Sequence, residues 1–134
     1  MENICLFTPL HPAPDVIQTI NFVLETKPQK FDKLTINSTY RAHLVIKGRG
    51  LLHLPGSSRP LNCGDLFFIS PSMQHGIEGV EDLQYIYISF ISVRANQLME
   101  RAGVTFQNFF FAGFDELKEP WQRAISSATQ ENTD

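Results

Sequence analysis

Side chains that could bind or transform a small molecule are concentrated in three stretches of this sequence. YRAHLVIKGRG contains Arg41 and His43, GDLFFISPSMQH ends in His75, and LQYIYISFI carries Tyr85 and Tyr87. Guanidinium, imidazole and phenol groups can orient a polar ligand, and a histidine can also ligate a metal or transfer a proton. The elements that contain these residues decide which of these chemistries is possible.

The composition restricts the class of protein. The chain has 134 residues, so a single domain is expected. Its net charge is -3 and its 11 basic residues are scattered, which argues against nucleic-acid binding by this chain. Cys5 and Cys63 form neither a CxxC motif nor a Cys/His cluster, which argues against a disulfide framework and a zinc ribbon. No stretch has the features of a secretory signal or a membrane span, so we expect a cytoplasmic protein without a membrane partner.

Most of the chain is predicted to form short strands, because runs rich in Val, Ile, Phe, Tyr and Thr are separated by turn residues. We count about eight such runs. The predicted strands are Ile4–Thr8, Ile17–Glu25, Tyr40–Ile46, Gly50–Leu54, Arg59–Asn62, Asp65–Ile69, His75–Glu78 and Leu83–Ser92. KGRG and PGSS are interpreted as hairpin turns, and Gly64 with Asp65 as the turn into LFFI, a strand buried on both faces.

Two helices are predicted after Ser92. VRANQLMERAG ends in Gly103, which is typical of a helix C-terminus, and the closing helix begins near Glu119 with Pro120 in its first turn. Five phenylalanines between the helices are predicted to be core residues. They are Phe106, Phe109, Phe110, Phe111 and Phe114.

The order of these elements, with the GD-to-histidine segment and KGRG before it, resembles the cupin double-stranded barrel. In particular, roughly Ile17 to Ala128 is similar to the N-terminal effector-binding and dimerisation domain of AraC-type transcriptional regulators. The resemblance implies a mainly β fold with a cupin-like jelly-roll barrel followed by C-terminal helices. It also implies an N-terminal arm at 1–16, a sensor barrel at 17–92 and a helical dimerisation segment at 93–134.

The metal ligands of cupin enzymes are not matched. Counting back from Gly48, the family glutamate falls on Arg41 and the histidine pair falls on Leu34 and Ile36, which leaves His75 alone. One imidazole cannot hold a catalytic metal ion. We therefore expect no catalytic residue, no metal and no cofactor, and a small metal-dependent cupin enzyme, such as an isomerase or dioxygenase, is the alternative.

Strand alternation then gives the candidate effector site. If Arg41 takes the inward position of the family glutamate, His43 also points inward, and Tyr85 and Tyr87 share one face of their strand. The predicted ligand-binding residues are Arg41, His43, His75, Tyr85 and Tyr87. The effector could be a sugar or an organic acid. For the two tyrosines, core packing is an equally good interpretation, and for both histidines a structural role is the more common one; the same holds more strongly for His53 and His11.

The closing helix carries an apolar stripe that could join two copies of the chain. Its predicted interface residues are Leu117, Trp121, Ile125 and Ala128. The resemblance implies a homodimer that contacts DNA only through a C-terminal domain beyond this chain. A dimerisation module without a small-molecule ligand is a third interpretation. The stiff segment from Thr8 to Pro14 is a weak candidate for an arm that folds over the effector.

Overall fold

The computed structural model describes residues 2–6, 18–27, 30–91, 95–105 and 108–133. The strands, in chain order, are β1 Glu2–Leu6, β2 Gln18–Glu25, β3 Tyr40–Leu54, β4 Ser57–Asn62, β5 Leu66–Ile69, β6 Gly76–Ile91 and β7 Phe110–Phe111. The helices are α1 Ala95–Arg101 and α2 Lys118–Thr133, with a 3-10 turn at Asp115–Leu117 before α2. The predicted dominance of strands, followed by helices, is confirmed.

The described strands form one antiparallel sheet in the order β1-β2-β6-β3-β5-β7, and β4 pairs with the second half of β3, from Arg49 to Leu54. Residues on opposite faces of this sheet belong to different clusters, as a two-residue period requires. One cluster contains Val45, Phe67, Tyr85 and Tyr87 with other buried residues of the inner face. The other contains Leu44, Ile46, Leu66 and Ile86 and is covered by α2.

The predicted hairpin at KGRG is wrong. Gly48 does have the positive φ, +76°, that a turn would need, but β3 continues through it and the pairing with β6 shifts register on both sides of Lys47 and Arg49. The reason lies in β6, where Asp82 also has a positive φ and the Lys47 ammonium binds its carboxylate at 2.9 Å. Both strands therefore bulge together, and the sheet bends without reversing. The predicted strands at His75–Glu78 and Leu83–Ser92 are accordingly one strand.

The other turn predictions are confirmed. Leu54 pairs with Ser57, so Pro55 and Gly56 make a two-residue hairpin between β3 and β4. Gly64 has a φ of +90°, and the backbone N–H of Asn62 donates a hydrogen bond to the Asp65 carboxylate at 2.7 Å. This turn leads into β5, which is buried on both faces as predicted.

The helices also occur where the sequence indicates. α1 ends before Gly103, whose φ is +82°, and Pro120 is the third residue of α2, where its missing N–H has no intrahelical partner to lose. Phe109, Phe110 and Phe114 are half-buried against the two clusters. Phe106 lies outside the described residues.

The apolar stripe of α2 faces the chain's own sheet. Ile125 is 7% exposed within the cluster of Leu44, and Leu117 and Trp121 are half-buried against it. The prediction that Ile125 lies in an interface between two copies is therefore wrong, because the chain's own sheet already covers its side chain. The side chain of Ala128 lies outside the described residues.

Among the described helices, none is long and apolar enough to cross a membrane. The segment from Thr8 to Pro14, with His11, lies outside the described residues.

Candidate functional site

A cavity of about 560 Å³ lies on the inner face of the sheet. All five residues predicted to bind a ligand, which are Arg41, His43, His75, Tyr85 and Tyr87, line this one cavity. Its volume is within the ordinary range for small-molecule sites, about 300 to 1,000 Å³.

The pairing of β3 with β6 brings four of these side chains together. Arg41 pairs with Ser89 and His43 with Tyr87, and these strands present alternate residues to the same face. The predicted alternation is confirmed, because the residues between them belong to the clusters on the opposite face. His75 comes from the turn before β6, where its backbone pairs with that of Thr35.

His43 is fixed deep in the wall. Its side chain is 1% exposed, and its ring stacks on Phe67 at 4.5 Å and lies at an angle to Tyr87 at 5.3 Å. Desolvation by burial, with smaller contributions from His75 and Arg41, holds the pKa of His43 well below its usual range. The ring is therefore neutral at pH 7. Its Nδ1 atom is buried and has no hydrogen-bond partner within the described part of the chain.

Arg41 lies beside His43 on the same wall. Its guanidinium carbon is 4.4 Å from the centroid of the Tyr87 ring, a cation–π contact. Its Nε atom is buried and, within the described ranges, has no hydrogen-bond partner. The ion pairs among described side chains are Lys47–Asp82, Arg49–Glu81, His53–Glu78 and Arg123–Glu119, so Arg41 belongs to none of them.

His75 has its hydrogen bonds satisfied by the chain. Its Nδ1 atom lies 3.0 Å from the carbonyl oxygen of Met73, and Asn37 Nδ2 lies 3.5 Å from Nε2. The first contact requires a proton on Nδ1, so Nε2 is the acceptor towards the cavity side. Burial is the main cause that lowers the pKa of His75. The bonds fit the structural role that is the more common one for such a histidine.

Thr35 and Asn37 line the cavity where the sequence count placed Leu34 and Ile36. Ile36 is 59% exposed, and neither Leu34 nor Ile36 is part of the cavity wall. A threonine and an asparagine do not replace an imidazole pair, because transition metals favour nitrogen and sulfur ligands. In the described part of the chain, no group of three or more His, Cys, Asp or Glu side chains is placed to hold a metal ion.

Tyr85 and Tyr87 continue the aromatic wall beside His43, at ring-centroid distances of 5.8 and 5.3 Å from it. Their ring centroids are 6.4 Å apart, and both residues are nearly fully buried. Burial is the main cause that raises the pKa of each phenol, so both stay protonated at neutral pH. Each can therefore donate a hydrogen bond as well as accept one.

A profile of the AraC-like ligand binding domain matches residues 26–130 of the sequence. The chain belongs to this family. No curated protein sequence gave a match.

Solved structures similar to this AraC-like domain include ToxT from Vibrio cholerae, at 14% identity and a TM-score of 0.50. The match covers 81% of this chain and 47% of ToxT. A cupin-2 protein from Shewanella frigidimarina is 16% identical over 59% of this chain and 83% of that one, with a TM-score of 0.46. A cupin-2 barrel protein from Salinispora arenicola is 18% identical over 69% and 80%, with a TM-score of 0.45. The predicted mainly β fold class, with helices after the barrel strands, is confirmed by the chain's own sheet and helices.

Most of the remaining cavity wall was missed at the sequence level. It comes from the end of β2 and from the segment before β3, and consists of Glu25, Lys27, Lys30, Phe31, Asp32, Lys33, Thr35 and Asn37, with Gly76 and Ile77 from β6. The sequence could have indicated Glu25, because Glu25 lies two residues after Val23 on the same strand and so faces inward. The segment before β3 has neither a strand period nor a helix period, so its residues could not be assigned to the cavity from sequence.

Phe31 holds that segment against the barrel. Its ring stacks on the His53 ring at 3.9 Å and lies over Gly76, where a Cβ atom would collide with it. His53 is itself fixed, since Nδ1 is 2.7 Å from Ser58 Oγ and Nε2 is 2.9 Å from a Glu78 carboxylate oxygen. The hydrogen bonds of His53 agree with the structural role expected for it. We call residues 30–37 the strap, because they close one side of the cavity.

Proposed function

We propose that this AraC-like domain senses a small-molecule effector in its barrel cavity and dimerises. In this proposal it controls a C-terminal helix-turn-helix DNA-binding domain of a cytoplasmic transcriptional regulator. The observation that carries effector binding is a cavity whose wall includes Arg41 and His43, each with a buried side-chain nitrogen, Nε and Nδ1, that has no hydrogen-bond partner among the described residues. A buried donor or acceptor without a partner costs about 1 to 3 kcal/mol, so a ligand that lets either side chain turn into a hydrogen bond recovers free energy.

Effector binding would act by shifting a population between two arrangements of the regulator. A ligand can move such an equilibrium only by its difference in affinity for the two states. The family membership favours sensing over catalysis, and in the described cavity wall the hydrogen bonds of the His75 ring go to Met73 and Asn37, not to a hydroxyl or a thiol. We therefore propose that the domain has no catalytic residue and no cofactor.

Dimerisation is proposed through α2. Ile125 is covered by the sheet, but Trp121 and Leu117 are only half-buried and can contribute to a second contact. A two-fold pairing of α2 with its copy would place Trp121 at the interface, where aromatic anchors contribute most.

The test of sensing uses the three tyrosines as reporters. Tyr85 and Tyr87 line the cavity, whereas Tyr40 packs in a separate cluster with Phe90. A domain with isotope-labelled tyrosine rings is titrated by NMR with a library of metabolites. We expect at least one compound to shift the Tyr85 and Tyr87 signals and leave Tyr40 unchanged.

Two matched variants locate the binding. Thr35→Trp places an indole in the cavity mouth and should abolish the shifts, whereas Ser57→Trp changes an exposed residue of the separate groove beside Phe109 and should not. A library in which no compound moves the two cavity tyrosines, or binding that survives Thr35→Trp, would contradict the sensing proposal.

A further inference from the structure

The charges around the cavity differ in sign from the charge of the chain. The chain has a net charge of -3. The cavity wall, in contrast, has four cationic side chains, Lys27, Lys30, Lys33 and Arg41, and two acidic ones, Glu25 and Asp32. The buried histidines add no charge, because burial lowers the pKa of both. A wall with excess positive charge in a domain with excess negative charge indicates an anionic ligand.

The two ends of the cavity wall are chemically different. Glu25 pairs with Tyr85 in β6, and Arg41 pairs with Ser89, four residues further along the same strand. At the rise of a β-strand the two positions are about 13 Å apart. The buried acid is therefore at one end and the guanidinium at the other, and Arg41 has no ion pair with any carboxylate in the described residues.

The guanidinium end is ready for a carboxylate. The Arg41 guanidinium carbon lies 4.4 Å from the centroid of the Tyr87 ring, and a guanidinium has five N–H donors for hydrogen bonds in its own plane. Planar carboxylates accept such bonds in pairs. His43, two residues further along β3, is 1% exposed and neutral, so it adds a buried aromatic ring to the wall beside Arg41 and no competing charge.

We propose that the effector is an organic acid whose carboxylate binds Arg41. The lysines of the strap and of the end of β2 add favourable charge at the mouth of the cavity. A neutral sugar would leave Arg41 without a counter-ion in a partly buried site. This proposal rests on the proposed effector-sensing function and adds the chemical class of the effector.

The experiment compares acids with neutral compounds of the same shape. The probes are D-glucuronate against D-glucose, and phenylacetate against phenylacetamide, titrated by NMR into the tyrosine-labelled domain. We expect each acid to shift Tyr85 and Tyr87 and to bind at least tenfold more tightly than its neutral counterpart, because charge-assisted hydrogen bonds are the stronger class.

Variants assign the effect to single residues. Arg41→Gln should weaken both acids at least tenfold and leave the neutral compounds unchanged, and Arg41→Lys should keep part of the affinity. Arg59→Gln is the matched control, since Arg59 lies over Phe110, outside this cavity, and its loss changes the net charge equally.

The outcomes separate this inference from the sensing function. Neutral compounds that bind as tightly as the acids at Tyr85 and Tyr87, or acids whose affinity is the same in Arg41→Gln, overturn the organic-acid class while the cavity remains a sensor. If neither the acids nor any library compound moves the two tyrosine signals, both proposals are overturned. A chemical unfolding curve for Arg41→Gln that matches the unmodified protein confirms that lost binding is not lost folding.

Discussion

Acidification should destabilise this domain through His43. The folded protein keeps this imidazole neutral, because burial holds its pKa well below the usual range, while the unfolded chain takes up a proton near pH 6.5. Between the two pKa values the unfolded state binds more protons, so the free energy of unfolding falls as the pH falls. For a histidine that stays neutral in the folded state, linkage gives a loss of about 1.4 kcal/mol from pH 7.5 to pH 5.5.

His75 acts in the same direction. Burial also lowers its pKa, so it adds to the loss, up to about 1.4 kcal/mol if it too stays neutral throughout this range. Tyr85 and Tyr87 also face His43, and burial raises the pKa of both phenols, so they keep the same protonation state in this pH window. The expected total for the two histidines is therefore between about 1.4 and 2.7 kcal/mol.

The assay is urea unfolding at pH 7.5, 6.5 and 5.5, followed by the fluorescence of the single tryptophan. Trp121 reports on folding because it packs between α2 and the sheet. The comparison protein is His43→Leu, which removes the ring and its unpartnered Nδ1 atom. Its loss between pH 7.5 and 5.5 should be smaller than that of the unmodified domain by about 1.4 kcal/mol. Identical pH dependence in the two proteins would refute the assignment of a neutral, buried His43.

Two further predictions concern the strap and the helix. Gly76→Ala should lower the free energy of unfolding by about 1 to 3 kcal/mol, because the new Cβ atom collides with the Phe31 ring; in a Phe31→Ala background the same change should cost much less, and equal costs in urea unfolding would contradict the contact. In sedimentation equilibrium, Trp121→Ala should weaken the free energy of dimerisation by about 2 kcal/mol. Ile125→Ala should mainly lower the free energy of unfolding, because the Ile125 side chain is covered within one copy of the chain. An unmodified domain that stays monomeric at tens of micromolar would contradict the proposed interface.

The residues of the cavity that could be predicted from sequence are those on regular strands. A two-residue period placed Arg41 with His43 and Tyr85 with Tyr87, and pairing between the two strands then brought the sets together. The same period extends to Glu25, which follows Val23 on the inner face of β2. These positions are local consequences of the backbone, so one sequence is sufficient to infer them.

The parts that were missed depend on distant partners. Gly48 allows a positive φ in either a hairpin or a bulge, and the choice was made by Asp82 in another strand. The strap has no regular hydrophobic period. Its position is fixed by the backbone pairing of Thr35 with His75 and by the packing of the Phe31 ring over Gly76. Neither contact is visible from neighbouring residues in the sequence.

Alternate residues of β3 serve two different surfaces. Arg41 and His43 face the cavity, while Leu44 and Ile46 face the cluster that contains Ile125 of α2. Strands in a packed sheet move as rigid pieces, because close-packed side chains do not deform continuously. We propose that a ligand that draws Arg41 towards itself would also displace the surface on which α2 rests. Couplings between sites are typically about 1 to 3 kcal/mol, and a displacement of this kind needs no contact between the ligand and the helix.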